Sequence, residues 1–410
     1  MINIEDIKSK FTLRNFAAFI LVLFVIHYIP LESRDGISMI KTAASFMCVY
    51  VFIVNGLYMT KALVCVIVYF MAILSSAILH MESFRASTLL YLLSFLITFV
   101  TMYNLVHVKR VFSLPFFTKI VRTLILTLFI VLVVQQLFIL LGITYFPLIN
   151  LVQFVNRGIG ANSLTMEPSV AGRMISVLMY AYMECISFRE GRRFVLADLL
   201  APEHRWVTIA YVWSVLTMGS GTAFVAAGIL SLYFVNWRNS LVMIPFLVGL
   251  VYLGGEMGND SFERAYNTAE ATMTGDLDLV IETDGSAAAR IGPLLYTIQN
   301  LDLTNSEHWF GRGIDAYGYR TVTTRGFIGE IGSYGLLAYL LGLTLIFSCA
   351  IRFFSIPTIM YFLGVGGMTG NIAYGWGILM IFMCVRYFYE HRYNPEVVRA
   401  DEKEETDNED

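Results

Sequence analysis

Apolar blocks, one after another and nearly free of charge, run through most of this chain. Crossing a bilayer as a helix takes about 20 residues, and many of the blocks reach or approach that length. Of the 410 residues, 57% are hydrophobic and 14% charged, against roughly 45–50% and 25% in an ordinary soluble domain. A globule cannot hide so much apolar surface, because more than half of any folded surface is already apolar. A soluble enzyme, a disordered chain and a disulfide scaffold are therefore excluded. The expected fold class is an all-α, polytopic membrane protein.

The blocks expected to span begin with about Asn15–Leu31, Ile37–Tyr58, Ala62–Met81 and Ser87–His107. Arg122–Ile143, Ser169–Ser187, Trp206–Met218 and Thr222–Val235 follow, and the last four are about Ser240–Gly255, Phe327–Ile351, Ile356–Thr369 and Asn371–Phe388. That makes about twelve spans, with eleven to fourteen allowed because glycine-interrupted pairs meet at Gly219-Ser220-Gly221 and at Thr369-Gly370. The domain organisation expected is residues 1–255 with nine spans and an outer segment near 144–168, a long loop at 256–326, three spans at 327–390, and a tail at 391–410. No small-residue cleavage site follows the first apolar stretch, so a retained first helix is expected rather than a signal peptide.

Orientation follows from lysine and arginine, which favour short cytoplasmic loops. With the N-terminus inside, the short outer loops and adjacent helix ends hold only Arg34, Lys41, Arg85, Arg157 and Arg173, and the remaining basic residues of the short connections lie inside. Both termini are thus expected in the cytoplasm. The net charge of −3 hides an acidic tail, since Asp401–Asp410 holds seven acids and one lysine. This reads as a solvated extension. The five cysteines sit in or near apolar segments, with no two in one aqueous loop, so neither disulfides nor a metal cluster is expected.

The outer face carries the chemistry-bearing sequence. From Glu256 to Gly285 the long loop is acidic; from Ser286 to Gly326 it holds Arg290, Arg312, Arg320 and Arg325. Guanidinium groups present a planar fork that matches phosphate oxygens, so this half-loop suits a phosphate-bearing lipid. A short surface helix, N-capped by Ser286, would carry Arg290. Beyond it, Gly311, Gly313 and Gly318 permit tight turns. Trp309, Phe310, Tyr317 and Tyr319 suit interface anchoring or stacking on sugars, and His308 is the one histidine of the outer segments. In the shorter segment Glu167 precedes Arg173 by six residues at the mouth of a span, and Glu330 opens the tenth. Ionisable groups there are costly unless they face a bundle interior or a water-filled cavity. Gln135, Gln136, Glu184 and Asn371 read as interhelical polar contacts. Asp276-Leu-Asp278 has a metal-binding spacing that arises by chance in so acidic a stretch, and no metal or other cofactor is expected.

Several short motifs, in order along the expected topology, resemble the O-antigen polymerase and ligase family of bacterial envelope glycosyltransferases. They are Thr165-Met-Glu-Pro-Ser, Thr217-Met-Gly-Ser-Gly-Thr, Ala289-Arg-Ile-Gly, Phe310-Gly-Arg-Gly-Ile-Asp-Ala-Tyr-Gly and Gly329-Glu-Ile-Gly-Ser-Tyr-Gly-Leu. The resemblance implies a donor glycan on undecaprenyl diphosphate, in the bacterial inner membrane, with the active site facing the periplasm. It implies Arg290 and Arg173 as diphosphate-binding arginines and Glu330 as the opening of a Glu-x-Gly element. Catalytic candidates are Arg290, Glu330 and Glu167; substrate-binding candidates are Arg157, Arg173, Arg312, Arg325, His308 and Tyr317. The ligases carry a histidine some nine residues before that glutamate; here the position is near Thr321, and no histidine stands between His308 and Glu330. That departure favours the polymerase. The implied partners are the lipid-linked donor and acceptor, membrane lipids and a chain-length regulator protein, with no nucleic acid. The alternatives are an O-antigen ligase acting on lipid A core and a lipid-oligosaccharide flippase or transporter. Against a transporter stands the lack of obvious similarity between the two halves of the chain.

Overall fold

The computed structural model describes residues 4–32, 38–54, 58–83, 86–146, 148–152, 158–235, 301–313, 326–365 and 373–391, with a few isolated positions between 267 and 282. For 4–11, 326–330 and 363–365 this covers the backbone alone. The regular secondary structure of the described residues is all helical, with no strand among them. In chain order the helices are α1 (Ile4–Val25), α2 (Met39–Val54), α3 (Lys61–Leu79), α4 (Ala86–Tyr103), α5 (Leu114–Leu140) and α6 (Pro168–Glu190). They continue with α7 (Arg205–Thr217), α8 (Gly221–Ser231), α9 (Ser306–Phe310), α10 (Gly326–Cys349), α11 (Ile356–Ile359) and α12 (Ala373–His391). Among the described residues four helical stretches are long and apolar enough to cross a membrane: Lys61–Leu79, Ala86–Val108, Leu114–Leu140 and Ile331–Cys349. The ninth expected block, about Ser240–Gly255, lies outside the described residues.

Two expected boundaries are corrected. The first block stays apolar to Leu31, but α1 stops at Val25. Beyond it the His27 amide donates to the Leu164 carbonyl at 2.9 Å, and Ile29–Leu31 forms a 3-10 turn around Pro30. The fifth helix starts at Leu114, well before Arg122. Ser113 caps it by accepting from the Phe116 amide, and Pro115 sits in its first turn, where a missing N–H costs nothing.

α6 runs through the middle of the bundle, packed on α5, α7, α8 and α12. Pro168 through Met183 are all buried. A polar group in an enclosed helix is tolerated where neighbouring elements supply hydrogen-bond partners, and α6 carries Arg173 among such partners. Gly172 makes a close crossing: a Cβ there would stand 2.3 Å from the Ala223 Cβ, so only glycine lets α8 approach.

Helix ends gather at two poles, and packed neighbours include parallel pairs such as α5 with α7 and α6 with α8 and α12. At one pole Gln136, late in α5, meets Thr217 at the end of α7; Arg173 meets Tyr374 at the start of α12; and Ser76, late in α3, donates to Ser333, early in α10. At the other, Ser187 of α6 meets Tyr233 just beyond α8, and Arg386 of α12 donates to the carbonyls of Phe347 and Ile351. Gln136 accepts from the Trp213 indole at 3.0 Å and donates to Thr217, the interhelical polar contact expected of it.

Candidate functional site

The site is built on the start of α6. Pro168 occupies its first turn, and the backbone carbonyl of Glu167 accepts from the amides of Val170 and Ala171. The Glu167 side chain is exposed and accepts a hydrogen bond from the Ser169 hydroxyl. One turn on, Arg173 is only 4% exposed. Its Nε donates to the Ser169 carbonyl at 2.9 Å, one terminal nitrogen to the Ser169 hydroxyl at 3.3 Å, and the other to the Tyr374 hydroxyl at 3.3 Å. The guanidinium carbon lies 5.3 Å from the centre of the Tyr374 ring. Ser169 therefore ties the expected Glu167 and Arg173 into one unit, and α12 holds the arginine from the side.

The segment leading into α6 is locked by buried amides and hydroxyls. Gln135 of α5 donates to the carbonyls of Asn150 and Ser163, both at 3.0 Å, and accepts from the Ser163 amide at 2.7 Å. Asn162 donates to the Thr165 carbonyl, and the Thr165 hydroxyl donates back to that of Asn162. Buried polar groups of this kind fix one geometry, because each lost partner leaves a desolvated atom unpaired. Asn150 carries the lock across to α1: its amide donates to the His27 carbonyl, and its oxygen accepts from the Ile29 amide at 2.7 Å.

There the structure reveals an ionic cluster that sequence reasoning missed. Glu32 Oε2 lies 2.6 Å from His27 Nδ1 and 2.7 Å from Lys41 Nζ, and Lys41 also donates to the Ile26 carbonyl at 3.1 Å. The side chains of Glu32 and Lys41 are 2% and 3% exposed. His27 Nε2 is buried with no hydrogen-bond partner among the described residues. Burial pushes the Glu32 carboxyl up, but the hydrogen bond from His27 and the charge of Lys41 outweigh it and leave the group below its ordinary value. The available signal was a lysine only a few residues into an apolar run, with a carboxylate just before it.

Two of the glycine-rich motifs dock on each other. The Arg312 amide donates to the Gly332 carbonyl at 2.9 Å and the Gly313 amide to that of Ser333 at 3.1 Å. Gly335 interrupts α10 at φ 88°, ψ 162°. A Cβ on Gly335 would stand 2.2 Å from the Trp309 carbonyl oxygen, and one on Gly311 2.3 Å from that of Ser333. These glycines exist for backbone-on-backbone contact. The clasp holds α9 against the early part of α10 and the end of α3.

The other expected residues fall as follows. Arg312 is half exposed, its Nε 2.8 Å from Glu307. His308 sits in the short α9, where Nδ1 lies 2.8 Å from the Asp302 amide, a local turn contact. Glu330 is early in α10, with its side chain outside the described residues; Arg157, Arg290, Tyr317 and Arg325 lie outside them altogether. The structure thus brings Glu167 and Arg173 together and places His308 and Arg312 on the α9 segment. No protein-family model, curated protein or solved structure matches this chain.

Proposed function

We propose that this chain is a membrane glycosyltransferase that polymerises oligosaccharide repeats carried on undecaprenyl diphosphate, at the periplasmic face of the bacterial inner membrane. The observation that carries the reading is the buried Arg173, held by Tyr374 and joined through Ser169 to the exposed Glu167. A positive charge inside an apolar bundle is expensive, and function is the usual reason for keeping one.

The chemistry matches that pair. An acceptor hydroxyl oxygen attacks the anomeric carbon of the donor sugar, the bond from that carbon to the diphosphate oxygen breaks, and the diphosphate leaves with the electron pair. Negative charge grows on the leaving group, where a fixed guanidinium in a water-poor cleft stabilises it. The hydroxyl proton passes to a carboxylate, for which Glu167 is positioned at the helix mouth. Arg290 of the outer loop is assigned to the same diphosphate.

The test is gel electrophoresis of surface polysaccharide from a strain lacking the gene, complemented with wild type, Arg173→Ala or Arg290→Ala. Losing one such donor slows turnover by about 100- to 1000-fold, by analogy with an oxyanion donor. Long chains should vanish and single repeats persist on the outer side, at unchanged protein level. Repeats trapped on the inner leaflet would indicate a flippase. Finished polymer left on undecaprenyl diphosphate would indicate a ligase. Normal chain lengths in both variants would overturn the arginine assignment.

A further inference from the structure

At the pole opposite Arg173, α6, the turn after α8, the start of α11 and α12 line an open cavity of about 420 Å³ that includes Tyr180, Glu184, Arg192, Arg193, Tyr233 and Tyr389. A second cavity, of about 120 Å³, shares Tyr180, Glu184 and Tyr389 and adds Arg352 and Arg386. The two linings together hold four arginines against the single acid Glu184.

Two of those arginines are already spoken for. Arg192 pairs with Glu190 at 2.6 Å and Asp198 at 2.8 Å, and Arg386 with Glu390 at 2.7 Å. Arg193 and Arg352 have no carboxylate partner among the described residues. Each instead lies on an aromatic ring of the cavity wall: Arg193 is 5.1 Å from the centre of Tyr233 and donates to its carbonyl, and Arg352 is 3.9 Å from the centre of Tyr389. Contact through the guanidinium face leaves in-plane N–H donors for an oxyanion, the geometry that favours arginine over lysine at phosphate sites. Tyr233, whose hydroxyl meets that of Ser187 at 3.0 Å, is held in place at the floor.

The surroundings suit a lipid rather than a soluble anion. Phe353 is 66% exposed and Phe354 fully so, directly after Arg352, in a turn where Phe354 takes φ 50°. Phe353 is stacked on Phe347 with ring centres 3.8 Å apart. Bare aromatic rings beside a basic cavity at the end of an apolar bundle fit the boundary between headgroups and acyl chains.

We propose that these two adjoining cavities, which share Tyr180, Glu184 and Tyr389, bind the phosphate diester headgroup of an anionic membrane lipid, with Arg193 on one side and Arg352 on the other as the phosphate ligands and Phe353–Phe354 against the acyl chains. The assignment stands apart from the glycosyltransferase reading, since it uses other residues at the other pole.

Native mass spectrometry of the full-length chain in detergent, titrated with phosphatidylglycerol, tests it. Arg193→Ala/Arg352→Ala should weaken binding at least about tenfold, the effect of losing two charge-assisted contacts. Because Arg193 also supports the Tyr233 backbone, Arg352→Ala alone, an exposed position, serves as the second variant and should weaken binding several-fold at unchanged melting temperature. Inorganic phosphate in excess should fail to displace the lipid. Unchanged affinity in both variants would overturn the site, and displacement by inorganic phosphate would reassign it to a soluble anion.

Discussion

Replacing Glu32 with Gln removes the carboxylate that His27 and Lys41 share and leaves the Lys41 ammonium, 3% exposed, with the neutral carbonyl of Ile26. Breaking a buried ion pair from one side costs about 3–5 kcal/mol, because the surviving charge stays desolvated. Removing both charges together, as in E32Q/K41M, costs much less, since no unpaired ion remains. Cys48, Cys185, Cys349 and Cys384 are free and buried, so a thiol-reactive dye in detergent reports unfolding of each variant. The single variant should melt well below the wild type and below the double variant. The pH dependence gives a second arm. The folded Glu32 carboxyl is held below its ordinary 4.5, so its stabilisation is complete above about pH 4.5 and lost as pH falls through the folded value. The wild-type melting temperature should therefore fall more steeply below pH 4.5 than that of E32Q. Equal melting of E32Q and E32Q/K41M would refute the reasoning, because the penalty would then not come from a stranded charge.

Two further outcomes follow from the glycines. Gly335→Ala puts a side chain at φ 88° and 2.2 Å from the Trp309 carbonyl oxygen. Strain of that kind costs on the order of 1–3 kcal/mol before the clash is counted, so thermal unfolding should start lower and hydrogen exchange should rise in 306–313. Gly172→Ala drives a Cβ to 2.3 Å from the Ala223 Cβ and 2.8 Å from its Cα and should lower stability and, on the proposed function, polymer length together, because Arg173 moves with α6; G172A/A223G removes the first clash and not the second, so it should recover only part of each.

How much of this was legible in the sequence depended on whether the signal was local. Arg173 stood out because a charge inside an apolar run is conspicuous wherever the helix goes. The Glu32–Lys41 cluster did not, because its members sit at the edges of two separate blocks and only packing shows that they are buried. The first helix ends earlier than its apolar run, because hydropathy does not report helicity: residues 26–31 leave the helix to bond with the 148–164 segment. Gly311 and Gly313 were legible as turn formers, but the docking of their segment on Gly332 and Ser333 is a contact between residues twenty positions apart. Arg192, Arg193, Arg352 and Arg386 counted in the sequence only as orientation markers, and Glu184 as an interhelical contact, because a cavity has no signature along a chain.

Both sites draw on one helix, and that fixes how they relate. Arg173 and Glu184 are eleven positions apart on α6, a rise of about 16 Å. The stretch between them, Met174 to Met183, is buried throughout. Its side chains are packed on α5, α7, α8 and α12, and packed interiors resist small displacements. Perturbations more than about 7–10 Å apart with no shared partner usually add. Arg173→Ala should therefore leave phosphatidylglycerol affinity at the other pole unchanged. In a chain carrying Arg173→Ala together with Arg352→Ala, the two free-energy effects on melting should sum to within about 0.5 kcal/mol. A larger discrepancy would mean that α6 shifts as a unit between two positions, so that lipid bound at one pole biases the arginine at the other.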